Sequence, residues 1–285
     1  MIDRVTVFYI SDNIVKIIDK NSNKNKVGRP GDLSKAEYVT LAILKQEMGV
    51  KTTKDFHKLV KEYMKKDFPN VPSYQQFCDG MKSTLKYFVF ISWVLSGITR
   101  KKESGYYVVD STPLPVCNNN YRFRSKIFKG LASSGKNMNG WYFGFKLHII
   151  INDNMEIASM KITDGSHNDL AALDENFVKD ISGWLVGDKG YIGSKKAMEL
   201  AEKGITLVTR TKKNMKKYPA LKMHNYLLSK RQSVESVFSY LKHRLSAVCA
   251  YARSAESYFV GVFSAIVAYT LKNSENTGFI EKLIS

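Results

Sequence analysis

The chain has 285 residues, 44% of them hydrophobic, which predicts about two packed domains and excludes an intrinsically disordered protein. It carries 44 Lys and Arg against 26 Asp and Glu, and this net charge of +18 favours a polyanionic partner over a merely solubilising basic surface. Three cysteines far apart in the chain support neither a disulfide framework nor a zinc site.

The N-terminal third predicts a small all-helical domain over residues 1–100. Its apolar residues recur at helical spacing, and Ser34 and Ser73 stand where helix caps are expected. The domain fits either a helix-turn-helix reader of DNA or a packing and dimerisation module, and the pattern does not distinguish them. Predicted helices cover residues 1–19, 35–48 and 53–66, and a fourth begins after Ser73 and leads into residues 87–98.

Nothing in the sequence predicts a membrane segment. Charged residues run through the first 20 positions, which is unlike a signal peptide. The two longest apolar stretches, Tyr87–Ile98 and Tyr258–Leu271, fall short of the ~20 residues that span a bilayer. We therefore expect buried helices, no membrane partner and a cytoplasmic protein.

After residue 100 the pattern changes to strands and helices, over a predicted catalytic domain at 101–275 and a C-terminal tail at 276–285. Three strands come first, the second and third of them joined by a short turn at residues 152–154, and helices and strands then alternate. This order predicts an α/β fold of the ribonuclease-H-like type, a mixed sheet with flanking helices, in which the first and fourth strands are neighbours. The predicted strands are 106–110, 143–151, 156–163, 184–187 and 205–210, and the predicted helices are 169–180, 194–203, 229–246 and 255–272.

Three acidic residues stand in settings that favour catalysis. Asp110 ends the first predicted strand and Asp188 follows the fourth, so both are expected at adjacent strand ends. Glu235 lies within a predicted helix, with Arg231 one turn before it and Lys242 two turns after it on the same face. A carboxylate at the end of an apolar strand is costly to desolvate unless a cation meets it. Three such carboxylates around divalent cations meet the requirement of two-metal phosphodiester chemistry, although a solvated ion-pair face is the alternative for Glu235.

A second acidic group follows the third predicted strand. Asp164 and Asp169 flank His167, and capping of the next helix by Asn168 or Asp169 is the simpler interpretation. A direct metal role for His167 or Asp169 is the alternative. His148, inside a predicted strand, is expected to be a packed core residue.

Two basic stretches flank the proposed site. Residues 111–152 contain no acid and interleave basic with aromatic side chains, and Glu235 is the single acid of residues 208–244. Cations beside stackable rings suit a DNA path, whereas a flexible surface loop is the alternative, above all for residues 133–139. The candidate DNA-binding residues are Arg231, Lys242, Lys189, Arg122, Arg124, Lys212 and Lys213.

These motifs resemble the DDE triad of bacterial insertion-sequence transposases, and within them the insertion sequence 982 family. The resemblance rests on Asp110 in Val-Val-Asp-Ser-Thr-Pro, Asp188 in Gly-Asp-Lys-Gly-Tyr-Ile and Glu235 in Arg-x3-Glu-x6-Lys, and it covers most of residues 100–272. The short gap before Glu235 leaves no room for a large inserted domain. One position departs from the pattern, since Leu228 stands where related families place a Tyr.

The resemblance implies a transposase that cuts DNA at the ends of an insertion sequence and transfers the strand into target DNA. Asp110 would bridge two Mg²⁺ ions, which Mn²⁺ can replace, with Asp188 on one ion and Glu235 on the other. The implied partners are double-stranded DNA and a second copy of the chain on that DNA, at the nucleoid. A ribonuclease-H-like metal nuclease without strand transfer, or an inactive DNA-binding protein derived from a transposase, are the alternatives.

Overall fold

The computed structural model describes residues 3–20, 31–122, 124, 126–138, 140–210, 222–248 and 252–273. The chain forms two compact units, a helical unit of Met1–Trp93 with Tyr240–Ser285 and a sheet unit of Val94–Ser239. The functional domain bounds predicted above, including the helix-turn-helix role and the tail at 276–285, stay predictions.

The helical unit is built around one central helix, α2. Buried residues run from Ala36 to Glu47 of this helix, because α1, α4 and α10 all pack against it. Ser34 and Ser73 each form the capping box expected of them, with Glu37 and Gln76 respectively. The helices are α1 (Arg4–Lys20), α2 (Lys35–Glu47), α3 (Thr53–Tyr63), α4 (Tyr74–Lys82), α5 (Leu85–Arg100), which continues into the sheet unit, and α10 (Ala255–Asn273).

In the part of the chain that the structure describes, no helix is both long enough and apolar enough to span a bilayer.

The sheet unit contains a mixed six-stranded sheet in the order β2-β3-β1-β5-β6, with β4 also paired to β3. Strand β3 is antiparallel to each of its neighbours β1, β2 and β4. Strands β1, β5 and β6 run parallel to one another. The predicted neighbourhood of the first and fourth strands is confirmed, because β1 pairs with β5. The elements are β1 (Tyr107–Pro115), β2 (Ser133–Asn137), β3 (Gly140–Asn152), β4 (Ile157–Asp164), α6 (Asp169–Ala172), β5 (Gly183–Gly187), α7 (Ser194–Ala201), β6 (Ile205–Thr209), α8 (Lys222–Lys230) and α9 (Gln232–Ser239).

Strand β1 was predicted to end at Asp110, but it continues to Pro115. Its parallel pairing with β5 covers only Tyr107 and Val108, whereas its antiparallel pairing with β3 covers all nine residues. Beyond Val108 the strand therefore resembles an edge strand, where proline is tolerated because no ladder bond is required on the open side. The apolar run that predicted the strand marks only its doubly paired half.

Strand β2 was not predicted, and the alternative of a flexible loop is wrong for residues 133–137. Its residues have low strand propensity, and the strand forms because the first residues of β3 extend past the main sheet and need a partner. Ser133 fastens it to the end of β4, since its Oγ donates to Asp164 Oδ1 at 2.6 Å and accepts from the backbone N of Ser166 at 2.8 Å.

Ser133→Ala is expected to lower the free energy of unfolding by about 1 kcal/mol at pH 7. Hydrogen bonds from Ser133 and Ser166 lower the pKa of Asp164 from 3.8 to about 2. Because this folded-state pKa lies below the unfolded value, the stabilisation is present above about pH 4 and is lost as the pH falls towards 2. Urea unfolding should show a larger loss at pH 7 than at pH 3, with the exposed Ser134→Ala as control. Equal losses at the two pH values would contradict this account.

The helix predicted for residues 169–180 is only the single turn α6. Asn168 caps it by accepting from the backbone N of Leu170 at 2.8 Å, as the simpler interpretation of this segment expected. The chain leaves the helix at Leu173, and Asp180 adopts a positive φ of 58°. The apolar residues that suggested a longer helix pack into the core of the sheet unit through turns. That core contains Tyr107, Val109, Ile150, Ala158, Leu173, Phe177, Val178, Ile181, Leu185, Tyr191, Leu200 and Ile205.

The helix predicted for residues 229–246 is also different, because it is interrupted at Arg231 and begins earlier. The Oγ of Ser233 donates to the carbonyl of Lys230 at 2.8 Å, which competes with the regular backbone ladder where α8 gives way to α9. After α9 the chain forms a wider π-helical turn, Tyr240–Arg244, with the N of Leu245 bonded to the O of Tyr240.

Candidate active site

Asp110 and Asp188 lie at the same level on neighbouring strands. The parallel register aligns Tyr107 with Leu185 and Val108 with Val186, so two residues further on Asp110 stands opposite Asp188. Asp188 directly follows β5 and precedes a turn of 3-10 helix, with the N of Tyr191 bonded to its carbonyl at 3.0 Å. The expectation that both aspartates come together at this edge is met by the register.

Asp110 is a largely buried acid in a locally acidic setting. Its side chain is 19% exposed, and burial raises its pKa from 3.8 to about 6, with Asp188 and Asp169 adding to the increase. The backbone N of Ser111, at 2.8 Å from Oδ1, and the guanidinium of Arg231 act in the opposite direction. The carboxylate is therefore short of positive charge, which is the condition that a bound cation relieves.

Glu235 is carried over the sheet by α9. The buried Val234, Val237 and Phe238 form the apolar side of this helix, which packs against β1. The carboxylate of Glu235 is 54% exposed, and its Oε1 lies 2.8 Å from Nη2 of Arg231. Nη1 of the same Arg231 lies 3.7 Å from Oδ2 of Asp110. One guanidinium thus joins the helix acid to the strand acid.

Asp169 connects the strands around the site. Its Oδ1 accepts from Ser111 Oγ at 2.7 Å and from Lys146 Nζ at 3.2 Å, and Lys146 also donates to the carbonyl of His167 at 2.8 Å. Its Oδ2 lies so near the turn after Asp188 that a Cβ on Gly190 would be 3.3 Å away. Asp169 therefore ties β1, β3 and the Asp188 turn together. A direct metal role for this residue stays untested.

Three polar rings lie buried beside this cluster. His148 is fully buried, as expected, and burial lowers its pKa to about 4, so the imidazole is neutral at pH 7. Its Nε2 lies 3.0 Å from Thr163 Oγ1, and its Nδ1 is 3.8 Å from Asp169. Burial and the nearby carboxylates raise the pKa of Tyr191 well above 10. Nδ1 of His148 and Nε2 of His167 are among the buried side-chain atoms of the described residues that have no hydrogen-bond partner, and the hydroxyl of Tyr191 lies near Ser111.

Sequence reasoning missed Ser111, Lys146 and Tyr191 as residues of this site. Their sequence signal was weak, because Ser111 and Lys146 lie in the acid-free stretch that was interpreted only as a DNA path. The β1–β3 register pairs Ser111 with His148 and brings Lys146 opposite Pro113. Their convergence on Asp169 follows from that register, which a single sequence does not show.

The candidate DNA-binding residues are found in several places. Arg231 contacts the carboxylates, and the exposed Lys189 directly follows Asp188. Arg122 and Arg124 follow β1, where Nη1 of Arg122 lies 3.4 Å from Asn119 Oδ1. Lys242 belongs to the helical unit, and burial lowers its pKa to about 8. Lys212 and Lys213 lie outside the described residues.

The donor set fits a hard divalent cation, although the side chains do not enclose one as they stand. Within the described ranges, no three His, Cys, Asp or Glu side chains form a group able to hold a metal ion. Asp110, Asp188 and Glu235 offer only oxygen ligands, which Mg²⁺ and Mn²⁺ favour, and Asp110 lacks a sufficient counter-charge. Glu235 is paired through Oε1 with Arg231 at 2.8 Å.

Residues 100–254 match the model of a protein family described as transposase DDE domain. No curated protein matches the chain. Among solved structures, the piggyBac transposase synaptic complex with hairpin DNA is similar at a TM-score of 0.56 and 10% identity, over 100% of this chain and 80% of that chain. The likeness shows the fold alone, and it confirms the predicted ribonuclease-H-like architecture with flanking and N-terminal helices.

A second structure, the Mos1 transposase paired-end complex with left transposon end, matches at 12% identity over 92% of this chain and 87% of that chain. Its TM-score of 0.26 is too low to support an argument.

Proposed function

The chain belongs to the family of transposase DDE domains, and on this premise we propose that it cuts DNA at the ends of an insertion sequence and joins the freed 3′ end to target DNA. The observation that supports this activity best is the meeting of Asp110 with Asp188 on parallel neighbours, and with Glu235 through Arg231. Assignment to the insertion sequence 982 family, and a bacterial source, belong to the same proposal.

Members of this family use divalent metal ions, and we propose two Mg²⁺ ions, replaceable by Mn²⁺, for this chain. Asp110, which is level with Asp188 and beneath α9, would bridge the two, with Asp188 on one ion and Glu235 on the other. When bound, the ions would lower the pKa of the attacking hydroxyl and stabilise the leaving oxygen. Asp110 is mostly ionised at neutral pH and so available to a metal ion, since its pKa of about 6 lies below 7.

The two proposed reactions occur in sequence at one site. Water first attacks the phosphodiester at the element end, which leaves a 3′-OH on the element and a 5′-phosphate on the flanking strand. That 3′-OH then attacks a target phosphodiester, forms a new bond to its phosphorus and releases the 3′-OH of the target strand. The exposed Lys189 and the guanidinium of Arg231 would hold phosphates beside the triad, Arg231 by a bidentate fork. Arg122, Arg124, Lys212, Lys213 and Lys242 are proposed as further contacts to the DNA path.

The proposed partner is double-stranded DNA, from both the element ends and the target. The similar piggyBac structure is a synaptic complex with hairpin DNA, and the net charge of +18 suits the same kind of partner. Joining two ends requires two active sites, so we propose a homodimer on DNA, acting at the nucleoid.

The testing experiment combines labelled linear DNA carrying the native element ends with a target plasmid, in Mg²⁺, in Mn²⁺ and in EDTA. Metal-dependent joining of the 3′ end to the plasmid is expected from the wild type and from the control Glu175→Gln, whose side chain is 86% exposed. Glu235→Gln is expected to abolish joining. Cutting without joining would point to a metal nuclease instead, and DNA binding without either reaction would point to an inactive DNA-binding protein.

A further inference from the structure

Arg231 is the cation that holds two of the proposed metal ligands. Its Nη2 lies 2.8 Å from Glu235 Oε1, and its Nη1 lies 3.7 Å from Asp110 Oδ2. The side chains of Arg231 and Asp110 are each only 19% exposed, so the contact is largely shielded from water. A guanidinium presents parallel N–H donors that suit two acceptors at once.

The backbone of Arg231 is held in place, whereas its long side chain can adopt other rotamers. Arg231 occupies the interruption between Lys230, the last residue of α8, and Gln232, the first of α9. Its carbonyl accepts from the N of Val234 at 3.4 Å, so the main chain is anchored. The long side chain can still rotate away from the carboxylates without moving either helix.

The guanidinium and a divalent cation compete for these carboxylates. Oxygen ligands of Mg²⁺ or Mn²⁺ lie about 2.1 Å from the ion, so a metal on Asp110 and Glu235 would repel a positive group within contact distance of both. Arg231 contacts Asp110 through Nη1 and Glu235 through Nη2, and no closed three-ligand group exists among the described residues. Loading with metal is therefore expected to displace Arg231.

We propose that Arg231 is an exchangeable counter-ion, which neutralises Asp110 and Glu235 until divalent metal displaces it and which then binds a DNA phosphate. This inference rests on the proposed function, because it takes both carboxylates to be metal ligands. When a DNA phosphate binds the guanidinium, the guanidinium no longer competes with the metal for the carboxylates. The protein should therefore bind metal more tightly when DNA is present than when it is absent. By thermodynamic linkage, metal should raise the affinity for DNA by the same factor by which DNA raises the affinity for metal.

The test measures Mn²⁺ binding directly, from the signal of free Mn²⁺ in electron paramagnetic resonance, with protein that has never been given substrate. Arg231→Gln is expected to bind Mn²⁺ about tenfold more tightly than the wild type in the absence of DNA. Arg231→Lys should lie between them, since an ammonium cannot bridge two carboxylates as a guanidinium does. Lys203→Gln, which removes one charge from a surface pair with Glu175 at 3.6 Å, should leave the affinity unchanged.

A second arm adds an end duplex that terminates in a 3′-dideoxynucleotide, so that no joining follows. The duplex should tighten Mn²⁺ binding by the wild type about tenfold and leave Arg231→Gln unchanged. Weaker or equal Mn²⁺ binding by Arg231→Gln would overturn the exchange and leave Arg231 as a residue that merely positions Glu235. If Arg231→Gln does not fold, the same comparison between Arg231→Lys and the wild type decides the matter.

Failure of the proposed function gives a different result. If Asp110→Asn binds Mn²⁺ as the wild type does, the carboxylates are not the metal site, and the premise itself is wrong. If Mn²⁺ binding requires Asp110 but ignores Arg231, the premise holds and only the exchange is rejected.

Discussion

Asp110→Asn is expected to abolish metal-dependent DNA cleavage and joining while DNA binding stays nearly unchanged. If Asp110 bridges the metal ions as proposed, its loss should lower the rate by roughly three orders of magnitude, equivalent to about 4 kcal/mol of transition-state stabilisation. Single-turnover cleavage of labelled end DNA measures the rate, and a mobility-shift titration measures binding. Asp180→Asn, at a position 62% exposed, is the matched control and should keep full activity. Retained cleavage in Asp110→Asn would remove this residue from the site.

The same substitution is expected to stabilise the protein in EDTA. The pKa of Asp110 is raised from 3.8 to about 6, so the folded state binds the proton more tightly than the unfolded state does. The ionised carboxylate therefore costs stability above about pH 6, and this cost vanishes below about pH 4. The neutral Asn avoids it, so unfolding at pH 7.5 should require about 1–3 kcal/mol more than in the wild type. An inactive but stabilised variant cannot be explained by misfolding.

Gly144→Ala is expected to be strongly destabilising. A Cβ at this position would lie 2.2 Å from the carbonyl O of Leu114 and 2.9 Å from Cα of Pro115, both backbone atoms of β1. Since Gly144 pairs with Pro115 across the β1–β3 ladder, the strands must separate locally. We expect a loss of about 3 kcal/mol or more, seen as a decrease in Tm of roughly 6–12 °C.

Gly97→Ala is the control for this change. Its Cβ would lie 3.6 Å from the nearest atom, an ordinary contact with the Arg100 side chain, and Ala is the better helix former. A Tm equal to or slightly above that of the wild type is expected. If Gly144→Ala left Tm unchanged as well, the close approach of β1 to β3 at this point would be wrong.

The sequence was sufficient where one residue type in one local setting carries the information. Apolar runs located β1 and β5, and their order predicted that Asp110 and Asp188 lie on neighbouring strands. Serine residues at helix starts predicted the caps at Ser34 and Ser73. Each of these features depends on residues close in the chain or on the general rules of strand order.

The rest depended on contacts between distant segments. Strand β2 exists because β3 overhangs the sheet, and no property of its own residues indicates a strand. The apolar residues at helical spacing in 169–180 are buried in the core, but the chain places them there through turns and not through a continuous helix. The link of Arg231 to Glu235 follows from helix spacing, whereas its contact with Asp110 depends on how α9 lies on β1.

The unequal ladders of β1 divide the site along a seam. Asp110 belongs to a strand held to β3 over nine positions, whereas only two positions join that strand to β5, which precedes Asp188. Amide hydrogens along the β1–β3 ladder should accordingly exchange far more slowly than those of the β1–β5 ladder. Asp169, by contacting Ser111 and Lys146 and lying against the turn at Gly190, is the polar bridge over this seam. The distance between the two aspartates is thus held by fewer backbone pairs than the distance across the β1–β3 ladder, and Asp169 supplies the side-chain contacts that supplement them.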